Sequence, residues 1–433
     1  MSNKSLIIKS PSTIDADLLK YNVLRVFTTL PAKFRTNSGY IGNQKLTIEK
    51  IEGDTDTDVK GNGTNNVSAI NNSTTSKKRI VFDISPIDAI TKVGESAFTL
   101  ANLKSIMGEG LAALEGLTEI TTIEIANDAA GKVSNPSKDT ILSGDIAKLK
   151  TLTKLTNLML HSTNVSGDIA ELKTLTNLTG LVLNSTNASG DIIKLKTFTN
   201  PTDLVLSGTN VSGDIAKLKT LNNLANLWLS GTNASGDIAE LKTLTNLTSL
   251  WLSMTNVSGD IAKLKTLTNL TNLWLNNTNV SGDIAELKTL TNLTNLWLNS
   301  TNVSGDIAEL KTLTKCSLIN VSGTNVSGDL SVLSPGVLKV SGGSSRSNQK
   351  VSWSSPTNRS SKTNIPLVIT NGGSGDAWDF GDDVDKLLID EAACTNYSGN
   401  TYGKYIEVKG NRTSASDNAI QTLQNNGWTV KIN

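Results

Sequence analysis

Apolar positions repeat every 23 residues through the middle of the chain. Each copy reads L-x-x-L-x-L, then Thr-Asn-Val-Ser-Gly-Asp-Ile-Ala or a close variant, then two further spaced leucines. One copy of this apolar skeleton consists of Leu247, Leu250, Leu252, Val257, Ile261, Leu264 and Leu267. A fixed period in the twenties with this spacing predicts a solenoid, because one copy buries its apolar face only by stacking on its neighbours.

Within L-x-x-L-x-L the residues alternate, which predicts a short β-strand in each copy. The leucines then point into the core, and residues such as Asn226, Trp228 and Ser230 point outward. We therefore predict a right-handed α/β solenoid. Its parallel β-sheet forms the concave face, short helical, 3₁₀ or turn segments form the convex face, and atypical segments cap the ends.

The tripeptide Ser-Gly-Asp marks the same period. Its aspartates are Asp145, Asp168, Asp191, Asp214, Asp237, Asp260, Asp283, Asp306 and Asp329. The glycine predicts a turn with unusual φ, and the aspartate predicts a helix N-cap. In copies such as Asp168–Glu171 the glutamate stands at the N3 position of a capping box. The alternative is a repeated calcium site, which is disfavoured because each aspartate lacks further carboxylates at ligand spacing.

A threonine column follows the strand of each copy. Its members are Thr163, Thr186, Thr209, Thr232, Thr255, Thr278, Thr301 and Thr324. We predict that these hydroxyls bond backbone groups that the turn leaves unpaired.

Changes in composition divide the chain into six segments. We predict an N-terminal attachment segment (1–52), a polar low-complexity loop (53–78) and a degenerate N-terminal cap (79–139). The regular solenoid (140–333), a Ser/Asn/Gly-rich linker (334–364) and a C-terminal cap (365–433) follow. The first segment has β-type runs at Leu6–Lys9 and Leu46–Ile51, with a helical pattern at Asp15–Phe27 between them. Ile120–Asn127 matches the strand half of a repeat.

The C-terminal cap has its own pattern. Tyr405–Val408 and Trp428–Ile432 predict strands. Between them, Ser416 is placed to cap a helix that runs to Gln424, and Gly427 is placed to end it. We expect this segment to cover the open end of the solenoid.

Composition excludes several classes of function. Forty basic and thirty-nine acidic residues leave no basic field for nucleic acid. Two cysteines, Cys316 and Cys394, and the single histidine His161 offer few ways to build a zinc site or a His-based triad. No stretch approaches the roughly 20 apolar residues of a membrane span, and the N-terminus lacks the apolar region of a signal peptide. We predict no cofactor, no metal, no nucleic acid partner and no membrane insertion.

Four tryptophans recur at the central outward position of consecutive strands. That column contains Met159, Val182, Val205, Trp228, Trp251, Trp274, Trp297 and Asn320. Exposed aromatic strips with polar rims usually mark interaction sites. The predicted ligand-binding residues are Trp228, Trp251, Trp274, Trp297, Asn226, Asn272, Asn295, Ser230, Ser253, Asn276 and Asn299. The alternative is mutual packing of the tryptophans for cross-strand stability.

Apart from the periodic aspartates, an acidic cluster lies in a Gly-rich stretch near the C-terminus. It comprises Asp376, Asp379, Asp382, Asp383 and Asp385. It predicts a solvated loop, with a weak cation site as the alternative.

These patterns resemble the leucine-rich repeat family. The Gly-Asp-Ile segment after Thr-Asn-Val-Ser is similar to the L-x-G-x-I signature of plant-type repeats, without their usual proline and one residue shorter than their 24. Gly94–Phe98 resembles the BspA-type repeats of bacterial surface proteins, and Gly410–Val430 resembles closing segments of bacterial and bacteriophage proteins. The resemblance implies binding, with no common ligand. Some bacterial members carry a ligase domain with a nucleophilic cysteine, but neither cysteine here has a histidine nearby in sequence.

We therefore expect a non-enzymatic adhesion protein that engages a host-surface protein or a glycan. The first expectation is a bacteriophage virion-surface fibre or decoration protein whose N-terminal segment docks to virion structural proteins. The alternatives are a bacterial cell-surface adhesin and a cytoplasmic protein-interaction scaffold.

Overall fold

The computed structural model describes residues 143–334, 336–342, 350–354, 366–371 and 377–433, and before them several strand backbones with the side chains of Leu111 and Ile123. The chain forms two compact units. One comprises residues 1–201 with 208–211, and the other comprises residues 202–207 with 212–433.

The first unit contains an antiparallel three-stranded sheet. Its strands β1 (Val23–Thr28), β2 (Leu46–Glu49) and β3 (Lys78–Asp83) lie in the order β1-β3-β2. The helical prediction over Asp15–Phe27 is wrong where β1 lies, because β-branched residues and pairing with β3 favour an extended chain there. β2 falls within the predicted run; the run at Leu6–Lys9 and the loop up to residue 77 lie outside the described residues.

The rest of the first unit contains two parallel sheets. The strands are β4 (Lys92–Val93), β5 (Thr122–Glu124), β6 (Ser143–Asp145), β7 (Asn157–Met159), β8 (Asn164–Asp168), β9 (Gly180–Val182) and β10 (Asn187–Asp191). β4-β5-β7-β9 pair in one sheet, and β6-β8-β10 pair in the other. β5 lies within the predicted strand half of a repeat.

The second unit continues the same pattern. Its strands are β11 (Asp203–Val205), β12 (Asn210–Asp214, of which Ser212–Asp214 belong to this unit), β13 (Asn226–Trp228), β14 (Asn233–Asp237), β15 (Ser249–Trp251), β16 (Asn256–Asp260), β17 (Asn272–Trp274), β18 (Asn279–Asp283), β19 (Asn295–Trp297), β20 (Asn302–Asp306), β21 (Leu318–Asn320), β22 (Asn325–Asp329), β23 (Lys339–Ser341), β24 (Val351–Ser352), β25 (Val368–Thr370), β26 (Tyr405–Val408) and β27 (Thr429–Ile432).

These strands build two parallel sheets. The tryptophan sheet contains β11, β13, β15, β17, β19, β21, β23, β25, β26 and β27 in that order. The Gly-Asp sheet contains β12, β14, β16, β18, β20, β22 and β24. The predicted α/β solenoid with parallel strands is confirmed. The second sheet was not predicted, since the Ser-Gly-Asp segments form strands where the sequence indicated turns.

Each regular coil also contains a short 3₁₀ helix. These helices span Ile146–Leu149, Ile169–Thr174, Ile192–Thr197, Ile215–Leu218, Ile238–Thr243, Ile261–Thr266, Ile284–Thr289, Ile307–Thr312 and Leu330–Val332. The preceding aspartate caps each one as predicted. Asp260, for example, accepts a hydrogen bond from the backbone N–H of Ala262 at 2.9 Å.

The glutamate three residues after some of these caps has a different partner. Glu240 and Glu286 form ion pairs with lysines of the preceding coil, Lys219 at 3.0 Å and Lys265 at 3.4 Å. Exposed pairs of this kind contribute about 0–1 kcal/mol each.

The core lies between the sheets and the 3₁₀ helices. All seven skeleton residues of the predicted coil, Leu247, Leu250, Leu252, Val257, Ile261, Leu264 and Leu267, are 0 % exposed. Each buried aliphatic side chain stabilises the fold by roughly 1.5–3 kcal/mol. Neighbouring coils supply much of the covering surface, so the coils stabilise one another.

The threonine column behaves as predicted. Thr255 is buried and donates its hydroxyl to the carbonyl of Leu252 at 2.6 Å. The same bond recurs 23 residues later, from Thr278 to Leu275. Each hydroxyl satisfies a buried carbonyl at the corner of its coil, which would otherwise be costly.

The C-terminal segment adds strands to the tryptophan sheet and two helices, α1 (Val384–Ala392) and α2 (Asp417–Asn425). Two further 3₁₀ turns, Gly381–Asp383 and Ser414–Ser416, precede them. The strands at Tyr405–Val408 and Thr429–Ile432 match the prediction. Gly427 follows α2 with φ of +80°, and the N–H of Trp428 bonds back to the carbonyl of Leu423. This is a Schellman-type ending.

Ser416 stands at the N-cap position of α2 as predicted, but its side chain makes no cap hydrogen bond. Its hydroxyl donates to the carboxylate of Asp385, which orients the side chain away from the helix N–H groups. Thr413 caps the 3₁₀ turn before α2, accepting from the N–H of Ala415.

Candidate ligand-binding surface

Three-residue strands place the four tryptophans in one register. Trp228 pairs with Trp251, Trp251 with Trp274, and Trp274 with Trp297. The central leucine of each strand is buried, and the tryptophans are half-buried on the outward face. We call these four residues the tryptophan strip.

The indole rings of the strip stack face to face. The ring centroids of Trp228 and Trp251 are 3.8 Å apart with 5° between planes, and those of Trp251 and Trp274 are 4.0 Å apart with 3°. Trp297 tilts by 38° from Trp274, at 5.4 Å. The inner faces therefore cover one another, and the strip presents ring edges.

The indole N–H groups differ along the strip. Trp228 donates to the hydroxyl of Ser249 at 3.0 Å. The N–H groups of Trp251 and Trp274 are buried and have no hydrogen-bond partner among the described residues. Leaving such a donor unpaired costs about 1–3 kcal/mol.

The predicted polar residues beside the strip largely bond to one another. The amide nitrogen of Asn226 donates to Asp203 at 2.6 Å, and that of Asn295 donates to Asn272 at 2.9 Å. Ser253 is 2 % exposed and donates to the side-chain oxygen of Asn276.

Further along this rim, Ser230 accepts from the backbone N–H of Ser253 at 3.2 Å. The side-chain oxygen of Asn299 is buried without a partner among the described residues. Hydrogen bonds among these side chains thus fix their orientation, and most of their polar atoms already have a partner.

A cavity that sequence analysis missed opens beside Trp297. Its volume is about 410 Å³, and we call it the polar trough. Its lining residues are Trp297, Leu318, Asn320, Lys339, Ser341, Thr370, Asn371, Tyr405 and Glu407. After Trp297 the outward column continues with Asn320, Ser341 and Thr370, and the register of β25 with β26 brings Glu407 next. Only the end of the regular column at Asn320 was visible in the sequence, because the later strands are not evenly spaced in the chain.

The carboxylate of Glu407 lines the polar trough and is paired with Lys431. The Glu407 carboxylate accepts from Lys431 at 2.6 Å and from Asn433 at 3.2 Å. The hydrogen bond from Lys431 holds the pKa of Glu407 below its usual range, against the opposing effect of burial. Tyr405 also donates to Glu407, at 3.4 Å.

The acidic cluster predicted as a solvated loop or cation site has structural partners. Asp383 accepts from the backbone N–H of Trp353 at 3.0 Å, and Asp385 accepts from Thr413 and Ser416. Asp376 lies outside the described residues. Among the residues that the structure describes, no group of three His, Cys, Asp or Glu side chains could hold a metal ion.

The cysteines are both buried in the described structure. Burial raises the pKa of the Cys316 thiol to about 12, and its S–H lies 3.3 Å from the carbonyl of Leu318. A thiol with so little thiolate at neutral pH is a poor nucleophile. Within the described ranges, no helix is both long and apolar enough to span a bilayer.

Residues 268–312 match the family described as "Leucine Rich repeats (2 copies)". An internalin from Listeria monocytogenes has 21 % identity and a TM-score of 0.52, with 80 % of this chain and 87 % of that chain covered. The ectodomain of the Arabidopsis thaliana receptor kinase GASSHO1/SCHENGEN3, in complex with Casparian strip integrity factor 2, has 21 % identity and a TM-score of 0.53. That likeness covers 72 % of this chain and only 38 % of the ectodomain.

Internalin C2 of Listeria monocytogenes has 29 % identity and a TM-score of 0.37, with 46 % of this chain and 83 % of that chain covered. No curated protein sequence matches the chain. Residues 268–312 are thus leucine-rich repeats, and the solenoid fold supports the leucine-rich repeat family.

Proposed function

We propose that this protein is a non-enzymatic binding protein that engages a protein partner through the tryptophan strip. Leucine-rich repeat proteins generally mediate protein binding. The observation that carries the proposal is the register of four half-buried tryptophans on adjacent strands.

The fold itself does not require tryptophan at this position. Val205 occupies the same column on the adjacent strand β11, pairs with Trp228 and is 6 % exposed. Tryptophan at this position leaves the indole N–H groups of Trp251 and Trp274 buried and unpaired, a cost that a valine would not have. Aromatic stacking of about 0.5–1.5 kcal/mol per pair is of the same size as that cost, so stacking alone does not select tryptophan over valine here. A binding role supplies the remaining reason for the strip.

The stacking favours a protein over a glycan at the strip. A sugar ring packs against an exposed aromatic face, and the faces between Trp228 and Trp274 are covered by neighbouring rings. Ring edges flanked by ordered amides suit the mixed apolar and polar side chains of a protein surface, where tryptophan is enriched.

The test replaces Trp251 and Trp274 together by valine, the residue that β11 already carries in this column. Labelled full-length protein is titrated onto intact bacterial cells, and thermal melting is recorded for the same samples. Because a central aromatic anchor contributes about 2 kcal/mol or more, we expect binding to fall by at least about tenfold. Lys265→Ala, on a 3₁₀ helix, is the matched control and should bind normally.

Treating the cells separates the possible partners. Protease treatment should abolish binding and periodate oxidation of glycans should spare it; the opposite result would make the partner a glycan. Unchanged binding with a clearly lower melting temperature would show that the strip serves only cross-strand packing.

For location, we propose the surface of a bacteriophage virion, with residues 1–80 docked to the particle. The resemblance of the closing segment to bacterial and bacteriophage proteins supports this. A bacterial cell-surface adhesin and a cytoplasmic scaffold are the alternatives. Mass spectrometry of purified particles should detect the chain at a fixed ratio to the capsid protein, and repeated absence would remove the virion proposal.

A further inference from the structure

We infer that the polar trough is a separate binding site for an acidic sugar, a pyranose ring that carries a carboxylate. This goes beyond the proposed role of the tryptophan strip, because it concerns another part of the same sheet. The cavity of about 410 Å³ falls within the range of about 300–1,000 Å³ that is typical of small-ligand sites.

The trough exists because bulky side chains flank small ones. Trp297 stands at one end of the column and Glu407 at the other, with Asn320, Ser341 and Thr370 between them. Neighbouring strands are about 4.8 Å apart, so four steps separate the two ends by about 19 Å. A short saccharide fits lengthwise in a space of this size.

Trp297 supplies an aromatic wall. It is tilted by 38° out of the stack, and its next neighbour in the column is Asn320. Its face on that side is therefore not covered by another ring of the strip. An exposed indole face packs well against the C–H face of a pyranose, which the covered faces of Trp251 and Trp274 cannot do.

The floor supplies hydrogen-bonding groups that match sugar hydroxyls. The hydroxyls of Ser341 and Thr370 lie 2.8 Å apart, so one of them donates to the other and the second hydrogen is spare. The side-chain oxygen of Asn320 accepts from Ser322, while its amide nitrogen makes no hydrogen bond among the described residues. The trough therefore presents both hydrogen-bond donors and acceptors, which a hydroxyl-rich ligand requires.

The charge of the trough selects an acidic ligand. The carboxylate of Glu407 is matched by Lys431 at 2.6 Å. Lys339 lines the cavity and forms no ion pair within the described part of the chain. The remaining charge at the trough is therefore positive, and it lies beside the hydroxyl-bearing floor.

Calorimetric titration of the full-length protein tests this with two matched probe pairs, trigalacturonate against galactotriose and sialyllactose against lactose. At least one acidic probe should bind at least about tenfold more tightly than its neutral partner, since a hydrogen bond to a charged group contributes substantially. Lys339→Ala should remove that preference, and Lys339→Arg should keep it. Rising salt should weaken binding because the lysine is only half-buried.

Two further variants separate this site from the strip. Thr370→Trp, at a half-buried position of the trough, should fill it and abolish sugar binding without lowering the melting temperature by more than a few degrees. The double change of Trp228 and Trp251 to valine, which spares Trp297 and its ring neighbour Trp274, should leave sugar binding intact. The inference is overturned if no acidic probe binds, if acidic and neutral probes bind equally, or if only the strip variant reduces sugar binding.

Discussion

At the scale of single residues, the glycine and aspartate of Ser-Gly-Asp depend on each other between coils. Gly259 has φ of +111°, which L side chains rarely adopt. A Cβ built on Gly259 would lie 2.0 Å from the carboxylate oxygen of Asp237 in the preceding coil. That oxygen is the one that caps the next 3₁₀ helix through Ala239 at 2.8 Å. Glycine is therefore required for both its conformation and its lack of volume.

We predict that Gly259→Ala lowers the free energy of unfolding by at least about 2–3 kcal/mol, from backbone strain and from displacement of the cap. In Asp237→Ala the clash is absent, so the double variant should be less destabilised than the sum of the single changes. Urea unfolding of the three variants measures this coupling. Strict additivity would show that the contact between Asp237 and position 259 contributes nothing.

At the scale of elements, β26 and β27 are joined by more than their backbone pairing. Glu407 on β26 faces Lys431 on β27, and the pair is stabilised further by Asn433. The pKa of Glu407 is lowered, chiefly by the hydrogen bond from Lys431. Because the folded state holds the carboxylate charged more firmly than the unfolded chain does, its contribution is present above the unfolded pKa of about 4.3 and is lost as the pH falls through the lower folded pKa.

We therefore predict that the melting temperature of the wild-type protein falls as the pH drops below about 4.3, and that Glu407→Gln loses part of that dependence. Differential scanning calorimetry from pH 7 down to pH 3 provides the comparison. Asp383→Asn is a useful second variant, because the pKa of Asp383 is also lowered: hydrogen bonds from Lys386 and Trp353 outweigh the larger single effect of burial. A wild-type curve that stays parallel to that of Glu407→Gln would contradict the assigned role of Glu407.

At the scale of the whole molecule, the regular coils of the second unit are joined through equivalent contacts. Asn269 donates to the carbonyl of Thr245, and Thr271 donates to the carbonyl of Thr248, each at 2.9 Å. The same asparagine contact recurs one coil later, from Asn292 to Thr268. Nearest-neighbour contacts of this kind make the coils interchangeable.

Deleting one full period, residues 256–278, should therefore leave a cooperatively folded protein with a modestly lower melting temperature. Deleting residues 256–277, one residue fewer, leaves one coil of 24 residues and should lower the melting temperature further, because the extra residue displaces that coil from its register with its neighbours. Circular dichroism melts of both deletions measure the difference. Equal behaviour of the two would show that coil register does not control the fold.

The period, the buried leucines and the threonine bonds were predictable because each repeats locally with the same chemistry. The aspartate caps were predictable for the same reason, from the residue type and its position before an apolar run. The prediction of a helix ending at Phe27 was wrong, because the pairing of β1 with β3, which the local apolar pattern does not show, favours a strand there. The N-cap position of Ser416 was predictable, but its side-chain partner was not, because its hydroxyl donates to Asp385, 31 residues earlier in the chain.

The sequence by itself determined the solenoid and the placement of the four tryptophans, because a fixed 23-residue period puts equivalent residues on adjacent strands. Only the tertiary structure decided how the strip is presented and that a trough exists beside it. The stacking angle of the rings depends on side-chain packing between strands, which no single copy contains. The trough joins Trp297 to Tyr405 and Glu407 across strands of irregular spacing, so its residues become neighbours only through strand pairing.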